Sequence, residues 1–399
     1  MDEDESERER GVTIDIATKF ISTENHELTI LDSPGHADFV PAMITGAASA
    51  DVGILVIAAT PGEFESGFDD TSDSGDAKGH IGQTREHVTL ARGLGVSQLI
   101  VAVNKLDAAE PNWSQGRFLE IRKRLVPFLK TNGFDMKRVQ FIPISGLSGV
   151  NISSPPSPND SISAGLAKWY NERTLMQAIN GFQPAKRNIE KAFRFLVSDV
   201  YTEGKYTIVK GKVVQGVISV GDKVAILPIG DEADIGRIEH GISASGLSEV
   251  DGERMNVAVA GDSAQLFLTG IDIARISIGN IISDVSTSLC PKLKRRMKAK
   301  IMVMDRLTVP IIQGSQVLLH MHSVSVPAVI NKLISVTNRR DGSVNDRPRV
   351  VTGSTNAMVE IKLHKKICLE SFNECRALGR FALRRGGDTV AVGIVEGFD

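Results

Sequence analysis

The chain has 399 residues, of which 42% are hydrophobic, 24% charged and 5% aromatic. This is the composition of a globular protein, and at roughly 150 residues per domain the length predicts two or three domains. The formal charge is -2, from 46 basic and 48 acidic residues, which excludes nucleic-acid binding driven by bulk positive charge and leaves only local basic patches for it.

The chain begins with the charged segment MDEDESERER, which has the character of neither a secretory signal nor a transit peptide. The longest apolar stretches, such as Val52–Ala59, have about half the length that spans a bilayer. Cys290, Cys368 and Cys375 lack the spacing of a zinc site and cannot build a disulfide framework, which fits a reducing compartment. We therefore predict a cytoplasmic protein that does not span a membrane.

From the start of the chain to about Ser148, apolar runs alternate with helical patterns. The runs ELTIL, VGILVIA, LIVAV and VQFIPI predict buried strands at Glu27–Leu31, Val52–Ala58, Leu99–Val103 and Val139–Ile144. The clearest helix is Trp113–Thr131, with Gly133 just beyond its end. Alternating strands and helices predict a parallel sheet that is covered by helices on both faces.

The rest of the chain has a different texture. A Ser- and Pro-rich loop at 151–163, a short helix and the linker GFQPAKRN lead to short strands from Phe193 onward. These strands recur about every 8–12 residues, which predicts antiparallel β-barrels, with a second series beginning near Lys298. The predicted fold class is α/β plus all-β, with an α/β domain at 1–185 and two β-barrels at 190–287 and 292–399.

The motif Asp32-Ser33-Pro34-Gly35-His36 directly follows the first predicted strand. Ligands of open α/β sheets bind beyond the carboxyl ends of the strands, where this motif would lie. There Asp32 can hold Mg²⁺ through water, Gly35 can bring a backbone N–H close to a phosphate oxygen, and His36 can orient an attacking water. Taken alone, the motif is more often a β-turn with a surface histidine.

The motif Asn104-Lys105-Leu106-Asp107 directly follows the third predicted strand. Asp107 can accept the N1–H and the 2-amino hydrogens of guanine, a pair of donors that adenine lacks. Asn104 would tether neighbouring loops, and the Lys105 stem would lie over the base. Taken alone, the motif is equally typical of an Asx turn at a strand end.

The third motif, Ser145-Gly146-Leu147, follows the fourth predicted strand. Its backbone N–H groups can bind the O6 atom of guanine, although Ser-Gly is also a common turn. The three motifs occur in this order, each at the end of a strand. Their combination predicts a GTP-binding domain.

These motifs, together with ERERGVTID (7–15) and GQTREH (82–87), resemble the translational GTPases of the elongation-factor-one-alpha class. Within that class, DFVPAMITGAASADV (38–52) and AKWYNERTLMQAI (167–179) favour the Hbs-like ribosome-rescue branch, whose partner is Pelota. Eukaryotic release factor three is the nearest alternative branch. The resemblance extends from about Ser6 to the C-terminus.

The resemblance implies a role for each matching residue. His36 is the catalytic residue that positions water, and Thr13 and Asp32 reach Mg²⁺. The residues that bind GTP are Asp32, Gly35, Asn104, Lys105, Asp107, Ser145, Gly146 and Leu147. The implied enzyme is a GTPase with GTP and Mg²⁺ as its ligands.

The resemblance also implies partners. They are a Pelota-type tRNA-mimicking factor and the ribosome, with Lys292–Lys300 as a candidate contact to ribosomal RNA. The implied function is the dissociation of stalled ribosomes in no-go and non-stop mRNA decay, by a protein that is monomeric. The alternatives are a termination GTPase and a partner-binding module that does not hydrolyse GTP.

One expected motif has no match in this sequence. The P-loop, G-x-x-x-x-G-K-[ST], holds the phosphates of GTP and should precede Thr13 by roughly fifty residues or more. Its absence from the printed residues leads us to expect a fragment or a truncated gene model, with a P-loop-less isoform as the alternative. A polar stretch at Thr71–Ile81 is expected to be an inserted surface loop.

Overall fold

The computed structural model describes residues 16–69, 82–240, 254–286, 290–305, 307–339 and 341–398. Thr13, the segment 7–15 and the stretch 71–81 lie outside these ranges. The helices of the described residues are α1 (Val40–Ser49), α2 (Glu63–Phe68), α3 (Gln83–Leu94), α4 (Gln115–Thr131), α5 (Ala164–Ala167) and α6 (Leu175–Asn180). None of these helices combines the length and the apolarity that crossing a bilayer requires.

The first part of the chain contains five strands: β1 (Ala17–Ser22), β2 (Glu27–Asp32), β3 (Gly53–Ala58), β4 (Leu99–Asn104) and β5 (Val139–Pro143). The last three form a parallel sheet in the order β3-β4-β5. Its central strand, β4, is buried along its whole length up to Asn104, as expected of a parallel strand that is covered on both faces. The strands predicted at 52–58, 99–103 and 139–144 are therefore confirmed to within one residue at each end.

The expected place of ELTIL in this parallel sheet is not observed. β2 pairs antiparallel with β1 in a separate two-stranded sheet, in which Ala17 lies opposite Asp32. The chain reverses at Thr23, whose backbone N–H donates a hydrogen bond to the carbonyl oxygen of His26 at 2.8 Å. Exposed and half-buried residues alternate along the first residues of β2, a pattern typical of an antiparallel ribbon with one covered face.

Helix α4 covers one face of the parallel sheet. It begins at Gln115, two residues later than predicted, because Trp113 has a positive φ of 54° and Ser114 is the N-cap, accepting from the Arg117 N–H at 3.2 Å. The helix buries Phe118, Ile121, Leu125 and Leu129, which recur at helical spacing. Gly133 follows its end with a φ of 84°, the left-handed conformation that the sequence predicted there.

The second part of the chain is a β-barrel. Its strands are β6 (Arg194–Glu203), β7 (Tyr206–Gln215), β8 (Val217–Ser219), β9 (Lys223–Leu227), β10 (Asp231–His240), β11 (Arg254–Met255), β12 (Val257–Val259), β13 (Ser263–Thr269) and β14 (Ile281–Asp284). Antiparallel pairing runs through β10-β13-β7-β6-β14-β9, and β9 pairs back with β10. The sheet is therefore a closed, six-stranded barrel, which we call the second barrel domain.

The third part repeats this architecture. Its strands are β15 (Lys292–Val303), β16 (Ile311–Ile312), β17 (Gln316–Met321), β18 (Val324–Asn338), β19 (Val344–Asp346), β20 (Val350–Val351), β21 (Thr355–Leu369), β22 (Arg380–Arg385) and β23 (Asp388–Gly397). Pairing runs through β17-β22-β23-β15-β21-β18, and β18 closes the barrel on β17. This is the third barrel domain. Two antiparallel barrels after an α/β domain confirm the predicted fold class.

The α/β domain packs against the third barrel domain through α1 and α3. Apolar side chains of the two helices, including Ile44 and Leu90, are buried with Ala382 and Val392 of the barrel. At Gly93 the approach is so close that a Cβ atom would lie 2.5 Å from a methyl group of Val392. The Val392 side chain therefore packs directly on the backbone of the helix at this point.

The two barrels are joined by a buried ion pair. Nε of Arg194 lies 3.0 Å from Oε1 of Glu370, and both side chains are almost completely buried. Beside them an apolar cluster contains Cys368 and Cys375, while Cys290 packs against its edge. All three cysteines are free. Burial raises the pKa of the Cys368 thiol to about 12, so this group is a packing residue at neutral pH.

The α/β domain contacts the second barrel domain at Asp51. Its carboxylate accepts hydrogen bonds from Arg187 at 2.9 Å and from Lys212 at 3.1 Å. Burial opposes the ionisation of Asp51, but the two cations outweigh it and lower the pKa of the carboxyl group. Arg187 of the linker and Lys212 of the barrel therefore both bind Asp51, which lies two residues before β3.

Candidate nucleotide site

Two of the three motifs come together at the carboxyl end of the parallel sheet. Asn104 is the last residue of β4, and its Oδ1 atom accepts hydrogen bonds from the backbone N–H groups of Lys105 at 2.9 Å and Gly146 at 2.8 Å. A side chain from one strand end thus holds the loop that follows the next strand. Asn104 is the tether between loops that its position in the motif predicts.

A second contact joins the same two loops. The hydroxyl of Ser145 donates a hydrogen bond to Oδ2 of Asp107 at 2.8 Å, and Asn112 donates to the backbone carbonyl of Asp107 at 2.6 Å. Ser145 is 1% exposed, whereas Asp107 is only half-buried. The serine therefore orients the carboxylate, and because each carboxylate oxygen has two lone pairs, both oxygens keep the capacity to accept from a ligand. This arrangement suits a carboxylate that reads two neighbouring N–H groups of a base.

The loop at 145–147 offers fewer free donors than its sequence suggests. The N–H of Ser145 donates to the carbonyl oxygen of Val150 at 3.2 Å, and that of Gly146 is taken by Asn104. Leu147, which is 99% exposed, supplies the remaining N–H. The expectation that several amides of this loop bind the O6 atom of guanine is thereby narrowed to the Leu147 N–H.

Lys105 is held by a residue that the sequence did not indicate. Its backbone has a positive φ of 59°, and its Nζ lies 2.7 Å from Oε2 of Glu63, at the start of α2. The ammonium group lowers the pKa of the Glu63 carboxyl group. The pair fixes the lysine stem across the site. The sequence could not indicate this contact, because no local pattern links residues from two different loops.

Arg117 was also not anticipated. From α4 it donates to the backbone carbonyl of Ala59 at 2.8 Å and pairs with Glu65 of α2 at 2.8 Å. Arg117 lowers the pKa of the Glu65 carboxyl group to about 2. The loop after β3 is thus fixed between α2 and α4 on the same side of the sheet as the Asn104 tether.

The Asp32–His36 motif occupies the end of the β1–β2 hairpin and the turn that leads to α1. Gly35 is exposed, and a Cβ atom built on it would meet no neighbour within 4 Å, so there is space for a ligand beside this residue. His36 is half-exposed, and its Nδ1 atom accepts from the backbone N–H of Asp38 at 3.3 Å. In the neutral ring this leaves the proton on Nε2, where it can bind a water oxygen.

The donor chemistry of this loop fits Mg²⁺. Asp32 is the last residue of β2 and supplies a hard carboxylate oxygen, the donor type that Mg²⁺ prefers while keeping most of its waters. Among the described residues no cluster of three or more His, Cys, Asp or Glu side chains could hold a metal ion. The residues present therefore suit a hydrated ion held through a single carboxylate, and Thr13 lies outside the described ranges.

Comparison with known proteins supports the interpretation of these motifs. Residues 1–185 match the family described as the elongation factor Tu GTP binding domain, and residues 296–396 match the GTP-eEF1A C-terminal domain-like family. The chain is 34% identical over 398 residues to elongation factor 1-alpha of Metallosphaera sedula, covering 99% of this chain and 84% of that protein. The chain belongs to the elongation factor 1-alpha family of translational GTPases.

One further relative and one solved structure are also similar to this chain. The chain is 38% identical over 397 residues to Protein HBS1 of Drosophila melanogaster, covering 99% of this chain but spanning only 55% of that protein. The structure of the S. cerevisiae Ski7 GTPase-like domain, bound to GTP, has the same fold, with a TM-score of 0.74 at 18% identity over 99% of this chain and 85% of the other. The resemblance to the Hbs-like members of the class is confirmed.

Proposed function

We propose that this GTPase binds GTP with Mg²⁺ and acts with a Pelota-type tRNA-mimicking factor to dissociate stalled ribosomes in the cytoplasm. The observation that carries the proposal is the pair of contacts that joins the two base-binding loops, Asn104 to Gly146 and Asp107 to Ser145. The similarity to HBS1 favours the rescue branch of the family. In this role the protein works as a monomer in no-go and non-stop mRNA decay.

The proposed roles follow from the positions of the side chains. Asp107, oriented by Ser145, accepts the N1–H and 2-amino hydrogens of guanine with its two carboxylate oxygens, and the Leu147 N–H donates to O6. The stem of Lys105 lies over the base, while its ammonium group stays paired with Glu63. A base without this donor pair, such as adenine, would cover the Asp107 carboxylate without donating to it, so the site selects guanine.

At the phosphate end, the γ-phosphate lies in the space beside Gly35, and Nε2 of His36 binds the attacking water. Mg²⁺, when bound near Asp32 and Thr13, supplies positive charge that offsets the charge of the phosphates. The loop continues directly into α1, which packs on the third barrel domain. Rearrangement of the loop on hydrolysis is therefore transmitted to the barrel, the type of switching known for GTPases.

Some of the same observations also support two other functions. A termination GTPase like eukaryotic release factor three would have the same nucleotide motifs and would differ in its partner. A partner-binding module that does not hydrolyse GTP would have the same two barrels and would differ in nucleotide turnover. In that case the barrels would bind the partner without nucleotide turnover.

One set of measurements on the purified chain separates the three functions. Isothermal titration calorimetry compares the binding of a purified Pelota-type factor with that of a purified stop-codon-reading termination factor. Release of phosphate from GTP is then measured with ribosomes and the factor that binds. The rescue function requires binding of the Pelota-type factor together with GTP turnover.

The histidine variant His36→Ala serves as the catalytic test. It should lose turnover while retaining affinity for GTP, because the imidazole acts on the water and not on the nucleotide. His364→Ala, which removes an exposed imidazole from β21, is the matched control and should retain turnover. Binding of the termination factor alone would establish the second function, and binding of a factor without turnover would establish the third.

A further inference from the structure

A groove with a volume of about 710 Å³ runs along the outer edge of β5. One wall is formed by α4, including Leu119 and Arg122, and the other by the segment from Trp169 to Arg173 that leads into α6. No strand of the described residues pairs with this edge, because β5 is the last strand of the three-stranded sheet. The groove therefore has an unpaired strand along its floor.

The backbone groups that face the groove can be identified from the pairing. In a parallel strand the N–H and C=O of one residue point to the same side, and the Ile144 N–H donates to Val103 of β4 at 2.9 Å. The alternate residues Val139, Phe141 and Pro143 consequently direct their backbone groups away from β4. These are the groups that a further strand would bond.

At the carboxyl end of β5 this edge cannot pair with a further strand. Pro143 has no N–H to donate, and its carbonyl oxygen accepts from Nδ2 of Asn151 at 2.8 Å. Phe141 and Val139 remain available for pairing. Both residues keep their side chains buried while their edge lines the groove, so an added strand would gain backbone hydrogen bonds without displacing the core.

The groove is also more cationic than anionic. Arg122 and Arg173 stand on opposite walls, with Glu172 as the carboxylate between them, and Lys137 and Arg138 lie in the turn that enters β5. Among the described residues none of these four cations forms an ion pair, whereas Arg117 and Arg124 on the same helix α4 are both paired. The Arg122 guanidinium lies 5.7 Å from the centre of the Phe141 ring, directly beside the edge strand.

We propose that this groove binds an extended, acidic segment of a partner protein, which adds as a strand to the edge of β5. Backbone pairing with Phe141 and Val139 supplies the affinity, and carboxylates of the segment pair with Arg122 and Arg173. Leu119, which is 48% exposed on the wall, receives an apolar side chain from the same segment. The groove lies apart from the Asn104 and Asp107 loops, so the activity is independent of the proposed nucleotide function.

The occupant is a peptide because the floor of the groove is a strand edge. Free N–H and C=O groups at the spacing of a strand are matched by another extended backbone. β5 has 5 residues, so the paired part of the segment is correspondingly short, and the charged side chains must contribute to its retention. Because the two walls face opposite sides of the added strand, acidic residues at neighbouring positions of the segment are needed to reach both Arg122 and Arg173.

The test uses the full chain, without nucleotide, and a fluorescein-labelled ten-residue peptide in which pairs of valines alternate with pairs of glutamates, so that both faces of the strand carry both residue types. Fluorescence anisotropy should show saturable binding, and a peptide with lysine in place of glutamate should not bind. The same peptide with every backbone nitrogen methylated should lose binding, because neither of its edges can then donate the hydrogen bonds of a strand ladder. Hydrogen exchange measured by mass spectrometry should slow at residues 139–143 when the first peptide is bound.

A charge-reversal variant completes the test. Arg122→Glu with Arg173→Glu should weaken the binding of the acidic peptide at least about tenfold. Lys130→Glu with Lys223→Glu makes the same change in net charge at exposed sites away from the groove and should leave the affinity unchanged. The proposal is overturned by the absence of saturable binding, by equal binding of the methylated peptide, by equal weakening in the control variant, or by unchanged exchange at 139–143.

Discussion

The hydroxyl of Thr45 lies 3.2 Å from the carbonyl oxygen of His322, to which it donates a hydrogen bond, although 277 residues separate the two in the chain. Thr45 belongs to α1, the helix that follows the His36 loop, and His322 follows β17 of the third barrel domain. The same hydroxyl is 3.2 Å from the carbonyl of Pro41 within α1. One side chain thus connects the candidate phosphate loop to the barrel.

Replacing Thr45 with valine should weaken the attachment of α1 to the barrel. The variant keeps the shape of the side chain but loses the hydrogen bond to His322, and we expect the free energy of unfolding to fall by about 1 kcal/mol. Urea unfolding followed by circular dichroism measures this change. Thr131→Val is the control, because Thr131 donates only to Pro127 in its own helix. An equal loss in both variants would show that the contact with the barrel contributes nothing.

The Asp107→Asn variant should exchange guanine specificity for xanthine specificity. An amide presents both a donor and an acceptor where the carboxylate presented only acceptors, and xanthine has a carbonyl oxygen in place of the 2-amino group of guanine. We expect affinity for GTP to fall at least about tenfold and affinity for XTP to exceed it. Displacement of a fluorescent nucleotide by GTP, XTP and ATP measures the change. Unaltered preference for GTP over XTP would remove Asp107 from the base site.

Stability should depend on pH through two buried histidines of the third barrel domain. Burial lowers the pKa of His322 to about 4, and burial with Arg384 lowers that of His320 to about 4, from an ordinary value of 6.5. Nε2 of His320 and Nδ1 of His322 have no hydrogen-bond partner among the described residues. Both rings are therefore neutral in the folded protein near pH 7.

As the pH falls, the unfolded chain binds these protons first. The stability contribution is therefore complete above pH 6.5 and is lost between pH 6.5 and about pH 4, by up to about 3 kcal/mol for each histidine. Urea unfolding at pH 7, 6 and 5 measures the slope. His322→Asn should reduce it, because asparagine tolerates the positive φ of 42° at this position and does not titrate. His364→Asn, at an exposed site, should leave the slope unchanged.

The buried ion pair between the barrels should be sensitive to the loss of one partner. Glu370→Gln leaves the Arg194 guanidinium buried without a counter-charge, and we expect a loss of about 3–5 kcal/mol in the free energy of unfolding. The double variant Arg194→Met with Glu370→Met should recover most of this loss, because neither charge then remains buried. Asp231→Asn removes one partner of an exposed pair with Arg275 and should change stability little. A loss in the double variant as large as in the single one would contradict this account.

Much of the fold follows from local sequence patterns. The runs at 99–103 and 139–144 are continuous and apolar, so they indicate buried strands whatever their neighbours are. The four buried positions of α4 recur at helical spacing, and Gly133 marks its end. ELTIL was harder to assign, because a run of five residues with partial alternation suits either a parallel strand or a hairpin. Its pairing with β1 depends on the turn at Thr23 and on residues outside the run.

The candidate site likewise contains some residues that the sequence could identify and others that it could not. Asn104 and Asp107 could be identified because base recognition requires particular side chains at a strand end, and their contacts with the 145–147 loop agree with that requirement. Glu63 and Arg117 could not be identified, since each acts through a partner from a distant loop. The loss of two of the three loop amides to internal hydrogen bonds was likewise invisible, because it depends on how the chain folds back at Val150.

The Arg194–Glu370 pair distributes rigidity unevenly through the protein. Two charges that are buried against each other are costly to separate, so the contact between the two barrels resists opening. The α/β domain contacts the barrels through a small apolar patch, the Thr45 hydroxyl and the half-exposed Asp51. Each of these contacts costs less free energy to separate than the buried ion pair. The contacts that separate at the lowest cost are therefore those between the α/β domain and the barrels, and α1 joins the His36 loop to them.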